Sequence, residues 1–290
     1  MTPYKLATML FEDQQIPVVQ HDGTIFRLTE VLGEGAPTSI FAFLNDWAHW
    51  HPALVAAPRP ANRDVALSGQ FLSPVVAPRK VICIGVNYHD HIREMQMPTL
   101  PEFPYAFLRP ATCLAGHEQT VPLPDWPKFI DWEAELGIVV GRGGRGLHGK
   151  RALDAIAGYT VVNDISARDW IEKRPGVGID WVMQKGWDCF QPTGPWLVPA
   201  DFVPDPGALD IMLTVNGETK QHSNTSQLIF GVQAIMEHLS TIMTLEPGDI
   251  IATGTPAGVG FGAKPRQNLK KGDVVRVTIE GIGSLENRMS

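Results

Sequence analysis

Asp131-Trp-Glu-Ala-Glu-Leu-Gly-Ile-Val-Val140 is the stretch on which the reading of this chain turns. It becomes apolar and β-branched towards its end, and it reads as a β-strand. Side chains alternate across a strand, so Glu133 and Glu135 share one face while Trp132, Ala134 and Leu136 share the other. Two carboxylates at neighbouring same-face positions repel unless something positive lies between them. A second apolar run, Ala157-Gly-Tyr-Thr-Val-Val162, also reads as a strand and leads into Asn163-Asp164. If the two strands pair, Asp164 joins the glutamates and three acidic oxygens converge. That set suits a hard divalent cation, Mg²⁺ or Mn²⁺, with positions left for water or substrate. Alternating acids are also what a solvated sheet face looks like. Two features argue against that here. Gly137-Ile-Val-Val140 reads as buried, and acids beside a buried run need a partner. Asp164 stands at a strand end, where functional groups gather.

A chain of 290 residues can bury a sizeable core and suits one large domain plus a small one. It carries 24 basic and 31 acidic residues, a net charge of −7, with no basic patch, so neither nucleic acid nor an anionic membrane is an expected partner. The 28 Gly and 24 Pro imply many turns and argue against a helical bundle. Cys83, Cys113 and Cys189 are scattered without a C-x-x-C. The opening Met1-Thr-Pro-Tyr-Lys-Leu-Ala-Thr lacks the order of a signal peptide, and no apolar run reaches the about 18 residues of a membrane span. The cytoplasm is therefore expected, with the cysteines as reduced packing residues. Asn224-Thr-Ser226, a glycosylation sequon, has no consequence there.

Residues 1–73 read as a small N-terminal domain without chemistry of its own. Strands are expected at Tyr4–Met9, Ile16–Val19 and Thr24–Phe26, a helical stretch at Thr38–Trp47, and a loop around Ala56–Pro60. Residues 74–290 are mostly strands and turns. The turns Glu246-Pro-Gly-Asp249 and Lys271-Gly-Asp273 lead into strands Ile250–Thr253 and Val274–Ile279. One long helix is expected, Leu228 to Met243, capped by Thr225 or Ser226. Gly141-Arg-Gly-Gly-Arg-Gly146 fits G-x-G-x-x-G after a strand, with Asp164 about 20 residues on, as a dinucleotide site would have it. Leu147-His-Gly149 intervenes where the helix should open, and a fully buried parallel strand would not carry two glutamates on one face. A tight hairpin turn is the better account of these glycines. Gly254–Gly262 is also glycine-rich but lacks the Gly-Lys-Ser/Thr ending of a phosphate loop.

Six blocks follow one another: Ile84-Gly-Val-Asn-Tyr-His-Asp-His91, Asp131-Trp-Glu-Ala-Glu-Leu136, Asn163-Asp-Ile-Ser-Ala-Arg-Asp169, Gln184-Lys-Gly-Trp-Asp188, Thr253-Gly-Thr-Pro-Ala-Gly-Val-Gly260 and Leu269-Lys-Lys-Gly-Asp273. In this order they resemble the fumarylacetoacetate hydrolase family, from about Val81 to Met289. The resemblance implies an α+β, predominantly β fold: a mixed β-sandwich roll over 74–290 with a small N-terminal α/β domain over 1–73. It implies Glu133, Glu135 and Asp164 as ligands of Mg²⁺ or Mn²⁺, and a homodimer.

His91 and Glu94 are three apart in Tyr88-His-Asp-His-Ile-Arg-Glu-Met95, which on a helical turn puts them on one face. A carboxylate on one imidazole nitrogen fixes the tautomer and makes the other nitrogen a better base. The alternative is an exposed polar helix. The resemblance implies a His–Glu dyad on a short lid, and Gln96-Met-Pro-Thr-Leu-Pro-Glu-Phe-Pro104 suits a mobile hinge. His89 is a rival base, but the family's pattern falls on His91. Lys185 stands where the family has a lysine that stabilises negative charge on a substrate oxygen; otherwise it is a surface lysine. Arg168 either grips a substrate carboxylate in bidentate fashion or partners the metal-binding acids. Thr255 either offers its hydroxyl or N–H to the ligand or is a turn residue. Arg109, in Phe107-Leu-Arg-Pro110, replaces a lysine common in relatives and counts with the substrate-binding residues. Ile171 stands where relatives often have Gln, which alters the pocket.

The function implied is metal-dependent hydrolysis of a C–C bond in a 1,3-diketo acid, an acylpyruvate or a fumarylacetoacetate-like compound. It would run through a metal-bound enolate, with water activated by His91 and Glu94 and the oxyanion held by Lys185. The same enolate stabilisation serves a 2-oxo acid decarboxylase, isomerase or tautomerase of aromatic catabolism, which is the alternative. A metal-stabilised binding protein without catalysis is a third class, disfavoured by the presence of all these residues.

Overall fold

Ala134–Val140 is buried at all seven positions and forms a central strand of the large sheet. The computed structural model describes residues 3–58, 69–173 and 176–290. Ala134–Val140 runs antiparallel to Ile156–Asn163 on one side and to Ile250–Ala252 on the other. Ile250–Ala252 pairs in parallel with Val81–Gly85, which pairs antiparallel with the edge strand Tyr105–Arg109. Val198–Pro199 closes the far edge of this six-stranded sheet. The register sets Val162 opposite Glu135 and Asn163 opposite Ala134, so the chain delivers Asp164 beside Glu133.

The two faces of the sheet have different tasks. Trp132, Ala134, Leu136, Ile138 and Val140 point into the main core. There they meet an antiparallel four-stranded sheet of Asp210–Val215, Glu218–Asn224, Val274–Ile279 and Gly283–Arg288. Ile211, Leu213 and Val215, then Val275, Val277 and Ile279, alternate inward from it, as in a sandwich with one wet face. The opposite face carries Glu133 and Glu135 at one end of the strand and Val139 at the other. Val139, with Ala157, Leu197 and Ile250, packs against the N-terminal part of the chain.

That part holds a four-stranded sheet in the order Thr24–Arg27, Gln14–His21, Lys5–Phe11, Gln70–Phe71. The helices Leu28–Leu32, Ile40–Asn45 and Trp47–Ala56 accompany it. Its strands fall where expected and run a few residues longer. The expected helical stretch is two helices broken at Asp46, the first capped by Ser39, whose Oγ accepts from the Ala42 N–H at 3.0 Å. Ala57 and Pro58 leave the last helix as the start of the expected loop, while Arg59 and Pro60 lie outside the described residues. The fold is mixed α/β and strand-dominated, with no closed barrel, in agreement with the sequence reading. Among the described residues, no helix is long and apolar enough to cross a membrane.

Two expectations need correction. The long helix is Val232–Ile242 and starts after Gly231, with no side-chain cap, rather than at Leu228. Asn87 accounts for the difference. Its backbone carbonyl accepts from the Ile229 N–H, and its side chain both accepts from the Phe230 N–H and donates to the Phe230 carbonyl. These bonds hold the approach to the helix in a non-helical path. Thr225 opens a separate short turn capped by Asn224. The glycine run Gly141–Gly146 does join antiparallel strands, which excludes a dinucleotide-type crossover. The connection is longer than a tight hairpin, however, and contains the short helix Lys150–Leu153.

Candidate metal centre and active site

One oxygen from each of Glu133, Glu135 and Asp164 lies within 4.8 Å of the others, and all three residues are buried. The pairing of their strands produces this cluster. The Asp164 N–H donates to the Glu133 carbonyl at 2.8 Å, and the Glu133 N–H donates to the Asn163 side chain at 3.1 Å. The cations around it come from other elements. Lys185, in the helix Trp181–Lys185, places Nζ 2.7 Å from Glu133 Oε2 and 2.5 Å from Asp164 Oδ2. Arg168 donates from Nε to Asp131 at 3.0 Å and also pairs with Glu133. Arg109 pairs with Asp164.

Glu135 is the exception. Among the described residues no cation pairs with it, and one oxygen accepts only the Gly254 N–H, at 2.8 Å. Gly254 has φ +100°, and a Cβ there would lie 2.8 Å from the Asn87 side chain, so only glycine allows this approach. Burial pushes the Glu135 carboxyl well above the usual carboxylate range, and the negative charges of Asp164 and Glu133 add to that. Burial also pushes Glu133 up, but Lys185 and Arg168 beside it outweigh this and hold it at about 2. Four buried acids (Asp131, Glu133, Glu135, Asp164) thus face three buried cations (Arg109, Arg168, Lys185). An all-oxygen set with one uncompensated carboxylate fits a divalent hard cation such as Mg²⁺ or Mn²⁺.

His91 and Glu94 lie on one face of the helix His89–Glu94, with Nδ1 and Oε2 3.0 Å apart. A carboxylate only accepts, so Nδ1 carries the hydrogen and Nε2 is left as the base. The other Glu94 oxygen accepts the Gly258 N–H at 2.8 Å. Asp90 anchors the same helix, accepting from His91 N–H, Ala257 N–H and Ser223 Oγ. The dyad is therefore held rather than waving in water, and His91 is 8% exposed.

His91 and the three acids line one cavity of about 70 Å³. Phe107 and Trp181, stacked with ring centroids 4.2 Å apart, form its apolar wall. Val86 also lines it at φ +50°, an unusual conformation for a β-branched residue of the kind that clusters at functional sites. Thr255 lines it as well. Gln221 donates to Thr255 Oγ1 at 2.9 Å, which leaves the hydroxyl hydrogen free to point elsewhere. His89 is not among the lining residues, nor is Ile171.

The structure rules out the surface alternative for Lys185, selects one of the two alternatives for Arg168 and departs from the expectation for Arg109. Lys185 is buried at 3% exposure, not on the surface. Arg168 takes the second of its two alternatives as partner of Asp131 and Glu133, although it still borders the cavity. Arg109, grouped with substrate binding, has a fully buried side chain and does not line the cavity. It binds Asp164 and the carbonyls of Phe190, Ile165 and Lys185, so it braces the acid and the helix carrying Lys185. Sequence reading missed Gln221, which also accepts the Ala134 N–H, and nothing local in its strand marks it. It also passed over Trp181 and Gln184, although Gln184 opens one of the quoted blocks.

Lys185→Met would leave Glu133 and Asp164 buried without their shared cation. The metal-free protein should lose about 3–5 kcal/mol, with part recovered at saturating Mn²⁺. Thermal unfolding with and without the metal checks this, and an unchanged melting temperature in both would show that the ammonium is not needed there.

Residues 80–290 match the family model described as fumarylacetoacetate (FAA) hydrolase, C-terminal. Mitochondrial oxaloacetate tautomerase FAHD2A of Bos taurus is 44% identical over 219 residues, 76% of this chain and 69% of that protein. The solved structure of fumarylacetoacetate hydrolase from psychrophilic Exiguobacterium antarcticum is 33% identical, with a TM-score of 0.84 over 99% of each chain. Maleylpyruvate hydrolase from Sphingobium sp. SYK-6, solved with manganese(II) and pyruvate, is 29% identical, with a TM-score of 0.77 over 98% of each chain.

Proposed function

Because the chain belongs to the fumarylacetoacetate hydrolase family, we propose that it is a metal-dependent enzyme acting on a short 2-oxo acid through its enolate, with keto–enol conversion of an oxaloacetate-like acid as its first reaction. The observation that carries this reading is the single small cavity shared by the buried acid triad and His91. Glu133, Glu135 and Asp164 would hold Mg²⁺ or Mn²⁺, which when bound supplies the Lewis acidity that stabilises an enolate. His91 Nε2, with Glu94 holding Nδ1, takes the proton from the carbon next to the ketone while water protonates the enolate oxygen to give the enol; in reverse, water takes the enol proton and His91 returns its proton to the carbon. Lys185, held between Glu133 and Asp164, brings its positive charge to the cavity wall, and Thr255 offers its hydroxyl to the oxygen on which negative charge grows. Phe107 and Trp181 exclude water from that side.

Hydrolysis of a C–C bond in a 1,3-diketo acid is the second reading, and the dyad favours it. A base held like His91 can take a proton from water as well as from carbon. The hydroxide then bonds to the remote carbonyl carbon, the C–C bond breaks, and the departing enolate is protonated to the 2-oxo acid. Assembly as a homodimer in the cytoplasm completes the proposal, and the unpaired Cys83, Cys113 and Cys189 suit a reducing compartment.

One experiment separates the readings. The purified protein is mixed with oxaloacetate and, separately, with a short acylpyruvate, each with Mn²⁺ and with EDTA. Loss of enol absorbance and the NMR product spectrum are followed. Metal-dependent acceleration of enol–keto exchange, with the acylpyruvate intact, supports the tautomerase reading. Metal-dependent release of pyruvate and a free acid would replace it by the hydrolase reading. Neither reaction, in a protein that binds Mn²⁺, overturns both.

A further inference from the structure

We propose that Gln184 is a specificity residue whose side-chain amide binds the carboxylate or carbonyl end of the substrate; the inference rests on the 2-oxo acid reading above. Gln184 is 2% exposed and lines the same cavity as Lys185, Trp181 and the acids. Its Oε1 is buried without a hydrogen-bond partner among the described residues. A buried carbonyl oxygen left unpaired costs stability. Native proteins seldom keep such a group without a reason, and a ligand that completes its bonds is one.

The surroundings support this role. Trp181, Gln184 and Lys185 are spaced i, i+3, i+4, so one helix face turns all three towards the cavity. Asp180 caps that helix by accepting the Met183 N–H at 3.0 Å, which fixes the direction of the face. The guanidinium groups that could otherwise take a carboxylate are already engaged: Arg168 with Asp131 and Glu133, Arg109 with Asp164. Gln221, the amide behind Thr255, is fully bonded to Ala134, Thr255 and Pro256. Gln191 also has an unpaired Nε2, but it does not line the cavity. Gln184 therefore combines free hydrogen-bonding capacity with access to the site. Its N–H donates to a carboxylate or ketone oxygen, and its carbonyl accepts an enol O–H.

The test titrates oxalate, a stable planar mimic of a 2-oxo acid enolate, into the Mn²⁺-loaded protein by calorimetry. Wild type is compared with Gln184→Leu, which keeps the volume and removes both polar ends, and with Gln184→Glu, which sets a carboxylate against the anion. Gln184→Leu should weaken oxalate by about tenfold, the loss expected for one hydrogen bond to a charged group. KM for oxaloacetate should rise more than kcat falls, and Gln184→Glu should weaken oxalate further. Mn²⁺ affinity without oxalate should stay within about twofold, because Gln184 is not among the acids. The metal-free Leu variant should melt at or above the wild-type temperature, since an unpaired buried carbonyl oxygen has gone. Oxalate affinity within twofold of wild type, or a clear drop in melting temperature, would overturn the proposal and make Gln184 a packing residue. Wild type that binds Mn²⁺ but not oxalate would sink the 2-oxo acid reading itself, and this inference with it.

Discussion

Glu135→Gln removes divalent-metal binding and at the same time makes the metal-free protein more stable. The first half follows because Glu135 is the one member of the acid cluster with no cationic partner among the described residues, so its charge is what a divalent ion would neutralise. Even outer partners of a ligand typically cost about 10- to 100-fold in metal affinity, so loss of a ligand should exceed about 100-fold. The second half follows from the same electrostatics. Burial, with Asp164 and Glu133, raises the Glu135 carboxyl well above its usual range in the folded chain. A raised acid contributes its stability below the unfolded value and loses it as pH rises through the folded value. The metal-free wild type should therefore lose stability on going up through that window, and Glu135→Gln should not. Glu133, held at about 2, behaves oppositely: its contribution is present above the ordinary carboxylate value and fades as pH falls towards 2. Calorimetric Mn²⁺ titration and melting curves over pH check both halves. A wild-type isotherm in Glu135→Gln would remove Glu135 from the ligand set.

His91→Ala should lower kcat by about 10² to 10⁴, the usual contribution of a general base, with Mn²⁺ binding intact. The geometry gives His91 this weight: its Nδ1 is taken by Glu94, and Glu94 is pinned by the Gly258 N–H, so Nε2 is left at the cavity. Glu94→Gln should cost less, because an amide oxygen can still accept from Nδ1 but no longer stabilises an imidazolium. Steady-state kinetics on whichever substrate turns over measures both. His91→Ala retaining more than half of the wild-type rate would move proton transfer to another group.

The features that follow from backbone periodicity were legible in the chain. Alternation along 131–140 puts Trp132, Ala134 and Leu136 in the sandwich core and Glu133 and Glu135 on the other face, because a strand turns its side chains over every residue. The three-residue spacing of His91 and Glu94 brings them together because a helical turn does so wherever it sits. The partners that complete the site depend instead on the path of the whole chain. Arg109 reaches Asp164 across 55 residues, and Gln221 reaches Thr255 across 34. The helix Val232–Ile242 follows a stretch whose backbone groups are taken by Asn87, well over a hundred residues earlier. Local sequence specifies which way a side chain points. Only the packed structure decides what stands opposite it, because burial makes each charge and amide choose among neighbours that sequence distance does not reveal. So Arg109 braces an acid where its motif suggested substrate, and Gln184 lines the cavity with its buried carbonyl oxygen unpaired among the described residues.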